Sequence, residues 1–134
     1  MKNIVFFLLI TAMCSDVVMA ATSGSELFEK HCNQCHVKAG RPTAAPPIFA
    51  VIHHLKKEYP ERNEFIKKVV DWVNNPNEKE SLMPGAVRRF GLMPKLGYAE
   101  ADVRSIAQYL YDGEIELPVW YKKHYKEKHG TEPK

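Results

Sequence analysis

Several features of common protein classes are missing from this sequence. The formal net charge is only +3 over 134 residues, far below the dense basic footprint of a nucleic-acid-binding domain. No stretch reaches the ~20 consecutive apolar residues that a membrane-spanning helix needs. No segment alternates as a strand, and no phosphate-binding loop, carboxylate pair or nucleophile with its base is evident. We therefore expect one helical domain that binds no nucleic acid and is not an enzyme acting through its own side chains.

The N-terminus has the pattern of an export signal. Lys2 precedes an apolar run over residues 4–12, and the run ends well before Asp16. Val18-Met19-Ala20 then provides a small-residue cleavage site. Residues 1–20 are predicted to be a signal peptide, and the mature chain is predicted to reach the periplasm or another exported compartment.

Cysteine is scarce, with three in the chain. Cys14 leaves with the signal peptide, so Cys32 and Cys35 remain, in the run CNQCH that ends at His36. One pair cannot complete a zinc site, and a thioredoxin-like redox pair would need a βαβ context. Two cysteines three apart share one side of a helical turn, where both thiols can reach the vinyl groups on one haem edge. The motif predicts one covalently attached haem c per chain, with His36 bound to iron.

Helical patterns cover most of the mature chain. Ser23-x-x-Glu26 is a capping box that predicts a helix running into CNQCH. Helices are also predicted over 48–58 and 61–74, each ending before a proline. The clearest helix spans 99–111, where Val103, Ile106, Ala107 and Leu110 form one apolar face. A last short helix is expected over 119–128, and residues 77–98 are predicted to be one long loop because they contain several prolines and glycines.

Several side chains could bind the opposite face of the iron. A thioether is a soft ligand that favours ferrous iron and raises the reduction potential relative to a second imidazole. Met83 and Met93 each precede a proline in a turn-forming region, so the local sequence leaves both open. The histidine candidates are His31, His53, His54, His124 and His129.

The sequence offers candidates for two further interactions at the haem site, one with His36 and one with the haem propionates. The stretch Pro46-Pro47 could supply a backbone carbonyl that orients the second ring nitrogen of His36, or these prolines could serve only to stiffen the loop. Arg88 and Arg89 could pair with the haem propionates, although a solvent-facing pair of charges is the simpler interpretation.

At this point the residues resemble the class I c-type cytochromes. Gly24, Phe28 and CNQCH match the N-terminal helix of that family, and residues 106–110 resemble its C-terminal helix, with Tyr109 as the aromatic at the helix crossing. Residues 72–76, WVNNP, resemble the helix end before the methionine loop, and the resemblance covers residues 23 to 111. It implies an all-α cytochrome c fold in which the N- and C-terminal helices cross around one haem. The family position of the ligand implies Met93, with Met83 as the alternative.

The resemblance also implies a function. Ligation by His36 and Met93 closes both faces of the iron, so the expected activity is outer-sphere electron transfer between protein redox partners. The cytochrome domain is predicted to span residues 21–112. A basic, aromatic extension follows over 113–134, and its composition suits docking to a protein partner or wrapping around the domain. That extension supports an alternative, a fixed haem subunit of a membrane or periplasmic oxidoreductase complex. A haem gas sensor or peroxidase-like enzyme with an open sixth position is a third hypothesis.

Overall fold

A computed structural model describes residues 22–38 and 44–133, and no β-strand occurs within these ranges. The described part of the chain forms six α-helices: α1 (Gly24–His31), α2 (Ile48–Glu58), α3 (Arg62–Asn74), α4 (Pro84–Phe90), α5 (Glu100–Asp112) and α6 (Val119–His129). None of the helices in these ranges is long and apolar enough to cross a membrane. The predicted all-α class is confirmed, whereas the predicted signal peptide lies outside the described residues.

The predicted helix ends agree with the local hydrogen bonds. Ser23 and Glu26 form the expected capping box, because the Glu26 N–H donates to Ser23 Oγ over 3.2 Å and the Ser23 N–H donates to Glu26 Oε2 over 2.9 Å. This hydrogen bonding lowers the pKa of Glu26. Helix α2 ends at Glu58, and its C-cap Tyr59, the residue before Pro60, is not helical, as the restriction on residues preceding proline requires.

One prediction about secondary structure was wrong. Residues 77–98 are not a continuous loop, because they contain a 3₁₀ turn (Glu78–Glu80) and helix α4. Pro84 is the first residue of α4, a position where proline fits because its missing N–H would have no partner in the helix. The carbonyl of Met83 accepts hydrogen bonds from Ala86 and Val87. The prolines that suggested a loop therefore include one that starts a helix.

Helix α5 is the centre of the main core and packs against α1, α2 and α3. The closest approach is between α1 and α5, where a Cβ on Gly24 would lie 2.1 Å from the Ser105 carbonyl oxygen. Phe28, fully buried, packs beside Tyr109 with ring centroids 6.0 Å apart. The crossing of the N- and C-terminal family helices is therefore present, and the cytochrome c fold is confirmed.

A second, smaller core lies on the other side of α2. It consists of Phe49 and Ala50 from α2 and Tyr121 from α6, all buried. Helix α6 begins at Val119 as predicted and ends one residue later than predicted, at His129. Helix α6 thus packs against α2 through Tyr121 instead of projecting from the domain.

Candidate haem-binding site

The two cysteines follow α1 directly. The N–H of Cys32 donates to Phe28 O over 2.8 Å, and the N–H of His36 donates to Cys32 O over 2.8 Å, so the chain continues through a helix-like turn. No disulfide joins Cys32 and Cys35, and Cys35 is exposed. Burial, and secondarily the neighbouring Cys35, raises the pKa of Cys32 to about 11.

His36 is held in one orientation by the loop before α2. Its Nδ1 lies 2.8 Å from the carbonyl oxygen of Pro46. A carbonyl oxygen only accepts, so Nδ1 carries the proton and Nε2 is left as a metal donor. Burial lowers the pKa of His36, while the bond to Pro46 acts in the opposite direction. The predicted backbone partner for this histidine is present in the structure.

A cavity of about 480 Å³ opens beside these residues. Cys32, Cys35 and His36 line it together with Met83 and Met93. Its volume lies in the range of cofactor pockets. Much of the remaining lining is apolar, including Phe28, Ile48, Val51, Leu55, Val69, Trp72, Val73, Leu82, Val87, Leu92, Leu96, Val103, Ile106 and Leu110.

The residues present fit a haem. Two thiols and an imidazole lie on neighbouring positions of one turn, and two thioethers are available in the same cavity. Leu82, Leu92 and Leu96 are among the few large apolar side chains that are exposed, and all three line this cavity. A planar apolar cofactor would cover them, which accounts for their placement.

Lys68 is a cavity residue that the sequence did not reveal. It lines the cavity with Tyr59, and its Nζ lies 5.3 Å from the Tyr59 ring centroid. Lys68 forms no ion pair within the described ranges, whereas Asp71, also in the lining, is already paired with Lys67 at 2.6 Å. The position of Lys68 four residues before Trp72, which places both on one face of α3, was the available signal.

The arginines predicted as propionate partners lie elsewhere. Arg88 and Arg89 are exposed on α4 and do not line the cavity. Their neighbours on the same helix, Val87 and Phe90, face the cavity instead. The solvent-facing interpretation of this arginine pair is the one that agrees with the structure.

The candidate histidine ligands are dispersed. His31 and His54 line the cavity, and the His31 ring lies 4.5 Å from that of Tyr98. His53 lies on the opposite face of α2, 4.7 Å from the Tyr125 ring. His124 is exposed on α6, and the side chain of His129 is outside the described part of the structure.

The two methionines differ in their surroundings. Met83 packs against the second core and its carbonyl begins α4. Met93 lies in the irregular segment between α4 and α5, half-buried, and belongs to neither core cluster. Both reach the same cavity, so the choice of Met93 stays a prediction.

A second cavity of about 480 Å³ lies between α3 and the start of α5. Four of its five charged lining residues are paired with one another, Lys67 with Asp71 at 2.6 Å and Arg104 with Glu100 at 3.0 Å. The fifth, Glu80, accepts a hydrogen bond from the Asn77 side chain. It contains neither cysteine nor methionine. The chemistry of the protein therefore belongs to the first cavity.

The fold and the first cavity, which the two cysteines line, define a small helical domain suited to a covalently held haem. A family model described as Cytochrome c matches residues 21–113. An uncharacterized protein of Aquifex aeolicus (strain VF5) is 35% identical in an alignment that covers 78% of this chain and 77% of that protein. No solved structure matches the chain.

The chain belongs to the cytochrome c family. It is a class I c-type cytochrome in which Cys32 and Cys35 fit the CXXCH motif. Membership implies covalently bound haem c, and it makes the protein a haem-containing electron carrier.

Proposed function

We propose that the mature protein is an exported mono-haem cytochrome that passes single electrons between protein redox partners by outer-sphere transfer and performs no substrate chemistry. The observation that carries this proposal is the cavity in which Cys32, Cys35, His36 and Met93 meet. The haem supplies a reversible one-electron iron couple when bound. The protein's part is to attach the cofactor, to orient it and to keep water away from it.

The local geometry supports the proposed ligand roles. Cys32 and Cys35 form the two thioether links, and the Pro46 carbonyl keeps His36 Nε2 available for iron. A single CXXCH motif in the chain supports one haem per molecule. Met93 is the proposed sixth ligand because its side chain reaches the cavity without being packed into either core cluster.

Lys68 is the proposed counter-charge for a haem propionate. It is a cation in the cavity lining that forms no ion pair with the described carboxylates. An ammonium acts as a point charge that can approach a carboxylate from several directions. A positive charge at this position would also favour the reduced iron, because the ferric haem carries one more positive charge.

The export proposal rests on residues 1–20, whose pattern suits cleavage after Ala20. Expression with the native leader in a Gram-negative host tests it. Mass spectrometry of the periplasmic fraction should find a chain that begins at Ala21 and carries the added mass of one haem. A chain retaining residues 1–20 in every fraction would contradict export by this route.

A pair of matched variants tests the ligand assignment. Met93→Ala should abolish the long-wavelength sulfur-to-ferric-iron absorption band, whereas Met83→Ala should retain it. Loss of the band only in Met83→Ala would reverse the assignment.

Carbon monoxide added to the reduced wild-type protein should bind slowly and incompletely at neutral pH. Rapid stoichiometric binding would favour the sensor or peroxidase-like hypothesis.

A fixed haem subunit of a larger oxidoreductase complex is the second candidate function. The outer side of α6 supports it, because Val119 is 83% exposed and Trp120 is 41% exposed beside several lysines. Exposed apolar side chains with a basic rim suit a protein interface. Purification of the native protein under gentle conditions, with and without high salt, would separate a stable subunit from a diffusing carrier.

A further inference from the structure

The last helix lies beyond the part of the chain that matches the family. The family match ends at residue 113, and α6 spans Val119–His129. Tyr121 is nevertheless only 7% exposed, and its ring lies 4.7 Å from that of Phe49 on α2. The described part of the extension, residues 113–133, is therefore held against the domain by apolar packing.

Helix α2 separates this packing from the haem cavity. Ile48, Val51 and Leu55 on one face of α2 line the cavity. Phe49 and Ala50 on another face form the second core with Tyr121. The extension thus supports the cavity wall from behind.

Met83 links the second core to the cavity directly. Its side chain lines the cavity and also packs against the cluster that contains Tyr121. Its backbone is held at both ends, since its N–H donates to Ser81 Oγ over 3.1 Å and its carbonyl accepts from the Ala86 N–H over 2.9 Å. With its backbone held, packing against the second core restricts where the Met83 thioether can lie.

We propose that the C-terminal extension is a positioning element for the haem cavity: Tyr121 holds the Met83 side chain as part of the wall, which excludes water and competing ligands. This inference rests on the proposed function, since it takes Met93 as the sulfur ligand. Residues 113–133 thereby affect the iron without touching the haem.

Truncating Tyr121 removes the ring that packs on Phe49 and one member of the cluster against which Met83 packs. The cavity left behind weakens this wall and raises the population of open conformations. A ligand that binds only the open form gains affinity in proportion to that population. Greater access of water to the iron also stabilises the ferric charge, which lowers the midpoint potential.

The test compares Tyr121→Ala with Val119→Ala in the full mature holo-protein. Val119 is on the same helix but 83% exposed, so it controls for changes to α6 itself. Imidazole should bind ferric Tyr121→Ala about tenfold more tightly than the wild type, and the midpoint potential should fall. Val119→Ala should match the wild type in both measurements.

The outcomes are distinguishable. A lower melting temperature in Tyr121→Ala with unchanged imidazole affinity and potential would overturn the proposal, because the extension would then only stabilise the fold. Absence of the sulfur-to-iron band in the wild type, or its loss only in Met83→Ala, would instead overturn the Met93 ligation on which it rests. If Tyr121→Ala yields no holo-protein, Tyr121→Leu, which keeps apolar volume, should show the same changes in smaller size. Wild-type values in that variant would also overturn it.

Discussion

Replacing Gly24 by alanine tests the contact that defines the fold. The new Cβ would lie 2.1 Å from the Ser105 carbonyl oxygen and 2.9 Å from Tyr109 Cβ, where ordinary contacts begin at 3.4 Å. The nearest atom belongs to the α5 backbone, so no side-chain rotation can relieve the overlap. Helix α1 must move away from α5 by more than 1 Å.

The size of the effect follows from this displacement. Overpacking in a well-packed core costs about 1 to 3 kcal/mol, and contact with backbone places Gly24→Ala at about the upper end of that range. Moving α1 also loosens the packing of the buried Phe28 against Tyr109. A loss of about 3 kcal/mol corresponds to a fall in melting temperature of roughly 10 to 20 °C for a domain of this size.

Gly85→Ala is the matched control. Gly85 lies inside α4, and the nearest atom to an added Cβ would be an Arg88 guanidinium nitrogen at 3.8 Å. Alanine is favoured over glycine within a helix by about 0.5 to 1 kcal/mol, so this variant should be as stable as the wild type or more so. Denaturant unfolding of both holo-proteins, followed by circular dichroism, gives the comparison. If Gly24→Ala unfolds within 0.5 kcal/mol of the wild type, the close crossing of α1 and α5 is not as described.

Two further predictions concern charge. Lys68→Gln should lower the midpoint potential by on the order of 20 to 60 mV, because one nearby positive charge is lost in a medium of intermediate dielectric. Arg88→Gln, outside the cavity, should leave the potential unchanged. Equal shifts in both variants would contradict the assignment of Lys68. The hydrogen bonds from Arg62, one of them 2.9 Å long, hold the pKa of the Asp112 carboxyl below its usual range. Because the folded pKa is depressed, the stabilisation is present above the ordinary carboxyl pKa and is lost as pH falls through the lower value. Asp112→Asn should therefore melt below the wild type at neutral pH, and the two melting curves should converge in acid; a constant gap at every pH would refute the ion-pair explanation.

Much of the fold could be predicted because its signals are local. The capping box at Ser23 and Glu26 starts α1, and the spacing of Val103, Ile106 and Leu110 gives α5 one buried face. These patterns involve residues within two turns of one another, so neighbouring side chains suffice to determine them. The helix α4 was missed because a proline that usually ends helices also favours their first position.

The cysteine motif belongs to the same local category. Cys32, Cys35 and His36 lie within one turn, so their spacing alone indicates haem attachment. The sequence by itself therefore determined the helical class, the attachment motif and the resemblance to the cytochrome family.

Only the tertiary structure decided which distant residues meet at the cavity. In the tertiary structure the Pro46 carbonyl accepts a hydrogen bond from His36, and Lys68, not Arg88, lines the haem cavity. The tertiary structure also packs Tyr121 against the cluster that holds Met83, although 38 residues separate the two along the chain. Such contacts form because several helices bury their apolar faces together, and no short stretch of sequence contains that information.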